Sequence, residues 1–355
     1  MDLRSLLGLD TPIVLGPFGG MSSVALTATV SEAGGLGSFG LYGLGPERIT
    51  AVAAELRERT ARPFALNLWL PFQGSGEGAP GAGFDRAEYE RAIAGLADLF
   101  AEAGVAPPEW PVAPLPAFDL QLEAALAAEP AVLSFVFGVP PTEVVDEAHR
   151  RGVRVIGAAT TVPEARALEA GGVDAIVATG MEAAGHRPSF LADPEAGLVG
   201  GLALIPQVVD AVGIPVIAAG GIADRRGVAA AFALGADGVQ VGSAFLATRQ
   251  SVAPEVHRAR IRSADAHETI LTRTMSGRAA RGLPNHAVRT IEARGGRASF
   301  PLQNILTGVF RRRAAELGRP ELLSLWMGQA AGLAHFDDAA EVFSELVAGV
   351  PDDRA

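Results

Sequence analysis

The stretch "VATGMEAAGHRP", residues 177–188, carries an apolar run into a glycine, a glutamate and a histidine before a proline stops it. Glu182 and His186 stand four apart, the spacing at which one helix face offers two metal ligands. Gly180, Gly185 and Pro188 oppose a helix there and no third ligand follows, so the pattern predicts no metal site. An imidazole that titrates near neutrality suits proton transfer instead. The chain has six histidines. His149 sits in the polar helical pattern "DEAHRRG", and nothing links His257 or His267 to the segment around 186. His186 is therefore the catalytic candidate, with a hydrogen-bonded structural histidine as its plain alternative.

A second group is built from glycine. Gly220 and Gly221 in "AGGIADRRG", and Gly242 with Ser243 in "VGSAF", each follow a short apolar run. Glycine lets backbone N–H groups approach an anion closely, and a following helix N-terminus adds favourable charge. The pair reads as a phosphate site; as plain turns they would do nothing more. Asn67 lies in the apolar run "FALNLWL". Its amide both donates and accepts, which suits the uracil-like edge of a flavin, or it is a satisfied core amide. The segment "TRTMSGRAARGLPN", 272–285, holds Arg273, Arg278 and Arg281 among small residues. It either offers Ser276 or an arginine to a substrate, or uses its arginines to tie two parts of the chain together. The "RRR" at 311–313 reads as a solvated helix face.

Elements that could bring these residues together follow from periodicity. Strand candidates are Pro12–Gly16, Leu36–Leu41, Phe64–Trp69, Ala131–Phe137, Val153–Ala158, Ala175–Thr179, Pro215–Ala219 and Gly238–Val241. Amphipathic stretches such as "ERITAVAAELRERT" and "PTEVVDEAHRRG" lie between them. Regular strand–helix alternation implies parallel strands joined by right-handed crossovers, and this many units suit a closed (β/α)8 TIM barrel. In that fold the working groups sit at the C-terminal strand ends. "GPFGGMSS", Asn67 with Trp69, "TGMEAAGH", "AAGGIAD" and "QVGSAF" all fall there, and the loops after the seventh and eighth strands are the common phosphate position. The Gly- and Pro-rich 71–84 must be a loop, and 105–118 an extended connector. From 250 the alternation ends, so 1–249 reads as the barrel and 250–355 as a mainly helical C-terminal lobe packed on it.

Composition removes whole classes of chemistry. There is no cysteine, which excludes disulfides, iron–sulfur clusters, Cys-based zinc sites and thiol nucleophiles. There is no lysine either, since all 29 basic residues are arginine, so no lysine Schiff base can form. A net charge of −11 argues against nucleic acid and anionic membranes as partners. The N-terminus is a poor signal peptide, and the apolar region 198–223 is interrupted by Gln207, Asp210 and prolines, so a cytoplasmic enzyme is expected.

The set "PIVLGPFGGMS", "FALNLWLP", "TGMEAAGHR", "PVIAAGGIAD", "GVQVGSAF", "SGRAARGLPN" and "WMGQAAGL" resembles, in order and spacing, the nitronate monooxygenases, formerly 2-nitropropane dioxygenases, of class I. The resemblance implies a TIM barrel that binds FMN noncovalently. It implies His186 as the catalytic group. Gly20, Met21, Asn67, Thr179, Gly185, Gly220, Gly221, Gln240, Gly242 and Ser243 become the expected FMN contacts. Thr179 stands where the family usually has glutamine, Ala184 where it has glycine, and Phe18 where methionine is common. The implied reaction converts an alkyl nitronate and O2 to a carbonyl compound and nitrite, with a homodimer as the possible assembly. His186 would act as base on neutral nitroalkanes or, protonated, hold the nitronate. An FMN reductase using NAD(P)H toward a quinone or enoyl thioester, and a non-catalytic barrel serving as an FMN-binding or partner-binding module, are the competing readings.

Overall fold

The segment Ala175–Thr179 is buried at all five positions, as a strand covered on both faces must be. The same logic holds around the sheet. In the computed structural model, which describes residues 2–71 and 83–352, the strands are β1 (Ile13–Leu15), β2 (Gly37–Gly40), β3 (Phe64–Trp69), β4 (Val132–Val136), β5 (Arg154–Ala159), β6 (Ala175–Thr179), β7 (Gly185–His186), β8 (Val216–Ala219), β9 (Gly238–Val241), β10 (Ile270–Thr272), β11 (Ala280–Leu283) and β12 (Leu325–Trp326). Eight of them form one parallel sheet in the order β1-β9-β8-β6-β5-β4-β3-β2. A parallel bridge between Val14 and Leu36 brings its two ends together, giving the TIM-barrel shape. Each strand candidate read from the sequence overlaps one of these eight strands.

Helices surround the sheet. Pro46–Arg59 buries Ile49, Val52, Ala53 and Leu56, a single helical stripe. Asp85 caps Arg86–Ala103 by accepting from Glu88 N at 2.8 Å. Inside the barrel Val14, Ala65, Val132, Ile156, Val177 and Ile217 cluster with Leu3 and Leu7 of the short helix Leu3–Leu7, which closes the N-terminal end. A Cβ at Gly238 would lie 2.5 Å from Leu3 Cδ2, so that plug and β9 are fitted to each other.

After residue 250 the chain holds the helices Glu255–Ser263, His286–Arg294, Leu302–Glu316 and Ala339–Val347. It also holds three strands that the helical reading did not anticipate: β10, β11 and β12 pair antiparallel, and β11 also takes β7 as a partner. These strands are two to four residues long, too short to show a period. One apolar cluster joins Ile13, Leu15 and Val241 of the barrel to Leu306, Phe310, Phe343 and Leu346 of these helices. Residues 105–117 form neither helix nor strand. The loop expected at 71–84 falls mostly outside the described residues. Among the described residues no helix is long and apolar enough to cross a membrane.

Candidate active site

His186 is held by backbone pairing rather than by a helix. In β7 it lies opposite Ala280, and Gly185 opposite Arg281, so residues ninety-odd positions downstream fix its place. Glu182 does not face it. That carboxylate accepts from Gly201 N at 2.9 and 3.0 Å, capping the helix Gly201–Val209. The loop between β6 and β7 is clamped through its carbonyls. Arg187 donates to Gly180 O at 2.6 Å and Thr179 O at 3.2 Å, Arg281 Nε to Met181 O at 2.8 Å, and Gln329 N to Glu182 O at 3.0 Å. Beyond the histidine, buried Glu164 accepts from Phe190 N and Leu191 N at 2.7 and 3.1 Å, which anchors the outgoing chain.

The imidazole edge bears Ser276: Nε2 and Ser276 Oγ are 2.8 Å apart. Ring centroids of Trp69, Trp326 and Phe300 lie 5.1, 5.7 and 5.9 Å from that of His186, an aromatic cage on its other sides. Burial, then the charges of Arg278 and Arg311, push its pKa down to about 3, so the ring is neutral at physiological pH although part of it stays accessible. The 272–285 segment does tie parts of the chain together, and its serine touches the histidine. Ser276 reaches the histidine and Arg278 lies 4.3 Å over the Phe137 ring, while Arg273 pairs with Glu195 at 2.7 Å and Arg281 ties the rim loop down.

The glycine-rich tips gather on the same rim. Gly20, at φ +78°, and Gly185, at φ +70°, would each carry a Cβ that meets nothing within 4 Å, so both front onto open space. Met21 packs on the main core beside Phe18. Gly220 and Gly221, at φ +97° and +74°, follow β8, a backbone course that favours glycine. Among the described residues the N–H groups of Gly221 and Gly242 donate to no acceptor, so two orphan amides stand at neighbouring strand tips. Ser243 Oγ accepts from Gly328 N at 3.0 Å, which leaves its own proton free to donate. The helix after Gly221 contributes less than its position suggests. Asp224 already caps Arg225–Ala233 by accepting from Arg226 N and Gly227 N at 3.0 and 3.3 Å. The side chain of Gln240 makes no hydrogen bond among the described residues. Buried Asn67 spends Nδ2 on Ser134 O and Oγ at 3.2 and 3.0 Å, leaving Oδ1 as an acceptor only. Thr179 Oγ1 turns to Val177 O at 3.4 Å.

Sequence reasoning missed a second wall. Arg311, read as part of a solvated face, turns inward: it donates to Asn304 Oδ1 and Ser324 Oγ at 2.7 Å each, with no carboxylate of the described residues in salt-bridge reach. Burial pushes it down to about 10, so it remains a cation. Asn304 Nδ2 donates to Tyr42 Oη at 2.9 Å, and Tyr42 is pushed up to about 12 by burial and stays a neutral phenol. Tyr42, Trp69, Phe118, Phe300 and Pro301 border a recess of about 30 Å³ beside the cage. An "RRR" run gives no sign of which arginine faces in; the apolar partners Leu306 and Phe310 on the same helix supply the only hint.

Residues 2–349 match the family model described as nitronate monooxygenase. A probable nitronate monooxygenase of Staphylococcus aureus (strain Newman) is 35% identical over 97% of this chain and 96% of its own length. The chain belongs to the nitronate monooxygenase family. It is accordingly an oxidoreductase. A solved nitroalkane oxidase from Streptomyces ansochromogenes superposes with a TM-score of 0.88 at 35% identity, covering 98% of this chain and 96% of that one. FabK from Thermotoga maritima aligns at TM-score 0.74 and 30% identity, covering 97% and 94%. The rim of this nitronate monooxygenase family member thus carries a neutral imidazole, nearby arginine charge and two glycine amides without an acceptor among the described residues.

Proposed function

We propose that this chain binds FMN noncovalently on the C-terminal rim and oxidises alkyl nitronates with O2 to carbonyl compounds and nitrite. The observation that carries the reading is the neutral, caged His186 flanked by the charges of Arg278 and Arg311. Such a site attracts an anion, and a nitronate is one. A base near 3 is poorly matched to removing a proton from a neutral nitroalkane at pH 7, so nitronates are the preferred substrates. The same neutrality argues against a standing imidazolium as the nitronate's counter-ion.

The residues present fit FMN. The orphan amides of Gly221 and Gly242 and the free proton of Ser243 suit a terminal phosphate. Oδ1 of Asn67 and the amide of Gln240 are acceptors and donors for a planar heterocycle, and the open glycines Gly20 and Gly185 let it approach the backbone. When bound, FMN supplies the electron chemistry; the protein orients the reactants and excludes water. Trp69, Phe300 and Trp326 shield the imidazole, and the arginines hold the substrate anion against it. We also read 1–249 and 250–355 as one functional unit, because the second part aims the histidine of the first.

The test is the visible spectrum of the purified protein followed by nitrite release from propionate 3-nitronate. Colourless protein that takes up no FMN ends the proposal. The likeness to FabK favours a second reading, reduction of a quinone or enoyl thioester by NAD(P)H through the same cofactor. Anaerobic mixing with NADH separates them: rapid bleaching supports the reductase, and inertness alongside nitronate turnover supports the oxidase.

A further inference from the structure

Hydrogen-bond direction can be followed from Arg311 toward the aromatic cage. A guanidinium only donates, and Arg311 Nη2 lies 2.7 Å from the side chain of Asn304, so the atom facing it is the carbonyl oxygen Oδ1. The backbone oxygen of Asn304 accepts from the same nitrogen at 2.9 Å, and Ser324 Oγ from Nη1 at 2.7 Å, which holds the guanidinium in place. With Oδ1 committed, the amide nitrogen of Asn304 must face Tyr42 Oη, 2.9 Å away. An amide nitrogen donates and does not accept, so the tyrosine oxygen is the acceptor in that bond. Flipping the amide would set its NH2 against the arginine N–H groups, two donors beside a cation. The phenolic proton of Tyr42 is therefore left over, and no described residue accepts it. Burial pushes Tyr42 up to about 12, so that proton is present at pH 7.

Two donations thus run one way, from an inward-facing cation to a phenol. Each polarises the next donor, and the charge at the start favours an anion at the end. The place suits a ligand. Tyr42 stands just past the last residue of β2, at the C-terminal rim. Its ring centroid lies 4.3 Å from that of Trp69 and 6.0 Å from that of Phe300, two of the aromatics that flank His186. It borders the recess of about 30 Å³, which has room for at least one more heavy atom. The neighbouring turn packs Gly19 against Tyr42 Cβ and leaves open space at Gly20. We propose that Tyr42 is the hydrogen-bond donor to an anionic oxygen of the substrate, with Asn304 and Arg311 as positioning residues that keep its proton free. Tyr42 touches the substrate; Arg311 acts on it through Asn304. The phenol keeps its proton throughout, so the contact binds and orients the anion and transfers nothing. That the anion is a nitronate rests on the function proposed above, whereas the uncommitted proton does not.

Propionate, a planar two-oxygen anion like a nitronate but without its oxidisable group, serves as the probe. The chain has two tyrosines, and the hydroxyl of the other, Tyr89, already donates to Pro108 O at 2.6 Å. Tyrosine labelled with carbon-13 at Cζ therefore gives one reporting signal and one internal reference, assigned with Tyr42→Phe. Titrating sodium propionate into the protein as purified, at pH 7 and constant ionic strength, should move the Tyr42 signal and leave that of Tyr89 in place. A Tyr42 signal that does not move overturns the proposal. A signal that answers to added FMN and not to propionate overturns it as well, since the hydroxyl would then belong to the cofactor. Tyr42→Phe keeps the ring and removes the proton; it should weaken propionate binding in calorimetry, and raise KM for a nitronate, about tenfold or more while kcat moves by less than about threefold. Asn304→Asp has nearly the same shape but gives Tyr42 an acceptor in place of a donor, so the phenolic proton is consumed within the chain. It should lose propionate affinity as Tyr42→Phe does, although the hydroxyl is still present. Parent-like affinity in either variant overturns the proposal. A propionate response without nitronate turnover would refute the function and leave the donor standing.

Discussion

The two parts of the candidate site are made differently. At the tips of β8 and β9 the polar groups are mostly main chain: two orphan amides, glycines at positive φ, and one hydroxyl. Around His186 the groups are side chains drawn from distant parts of the sequence, with Ser276, Trp69, Phe300 and Trp326 converging on one ring. A cradle of amides tolerates change in most neighbouring side chains, because its donors belong to every residue. A ring aimed by a hydroxyl, three aromatics and two cations depends on each of them. The first part should therefore fail in binding and the second in turnover.

That contrast can be broken by substitution. The largest effect is expected for His186→Asn, which should lower nitronate turnover by about 10²–10⁴-fold while FMN content, read from the visible spectrum, is retained. Unchanged turnover would remove His186 from the chemistry. Next, Gly277→Val should destabilise the fold by about 3 kcal/mol or more, since its side chain would enter the Phe300 backbone at positive φ; thermal melting reads this. Gly221→Asp sets a carboxylate against the proposed phosphate and strains a φ of +74°, and should weaken FMN binding at least tenfold, about 1.4 kcal/mol, by fluorescence titration. If it instead lowers kcat with FMN affinity intact, the division of labour is wrong.

Arg311→Gln removes a cation that depresses His186. It should raise the pKa of that ring and raise KM for a nitronate about three- to tenfold, with kcat less affected. The smallest effect concerns pH. His186 and His257 lie near 3 and 4 in the folded protein, both lowered first by burial, against an ordinary value of 6.5. Below about pH 6.5 the unfolded chain binds protons that the folded chain refuses. Stability is thus fully present above that pH and is lost as pH falls toward 4, by up to about 1.4 kcal/mol per unit for each ring. Denaturant melts from pH 7 to 4.5 should show a slope that is shallower in His257→Phe.

Much of the barrel could be read in advance because each strand is a local, buried run punctuated by glycine or proline, as in "FALNLWL" and "PVIAAGGIAD". The rim glycines were legible for the same reason: positive φ is a property of the residue and its immediate turn. The contact of Ser276 with His186 was not read from the sequence, because a separation of 90 residues leaves no local trace. Arg311 was misread since its inward turn depends on Tyr42, Asn304 and Ser324, none adjacent in sequence to it. The strands β10 to β12 were missed because their stability comes from pairing with β7 and with each other. The helix N-terminus after Gly220 and Gly221 was expected to favour an anion, but the carboxylate of Asp224 occupies its first amides.

The antiparallel pairing of β7 with β11 has a consequence for biosynthesis. All eight barrel strands have been made once the ribosome passes Val241, yet the partner that orients His186 arrives only with Ala280–Leu283. A nascent polypeptide between those points carries the strand-tip glycines but not the partner strand of His186. A product truncated in that interval would keep His186 in its sequence but lack the strand that sets the ring's direction.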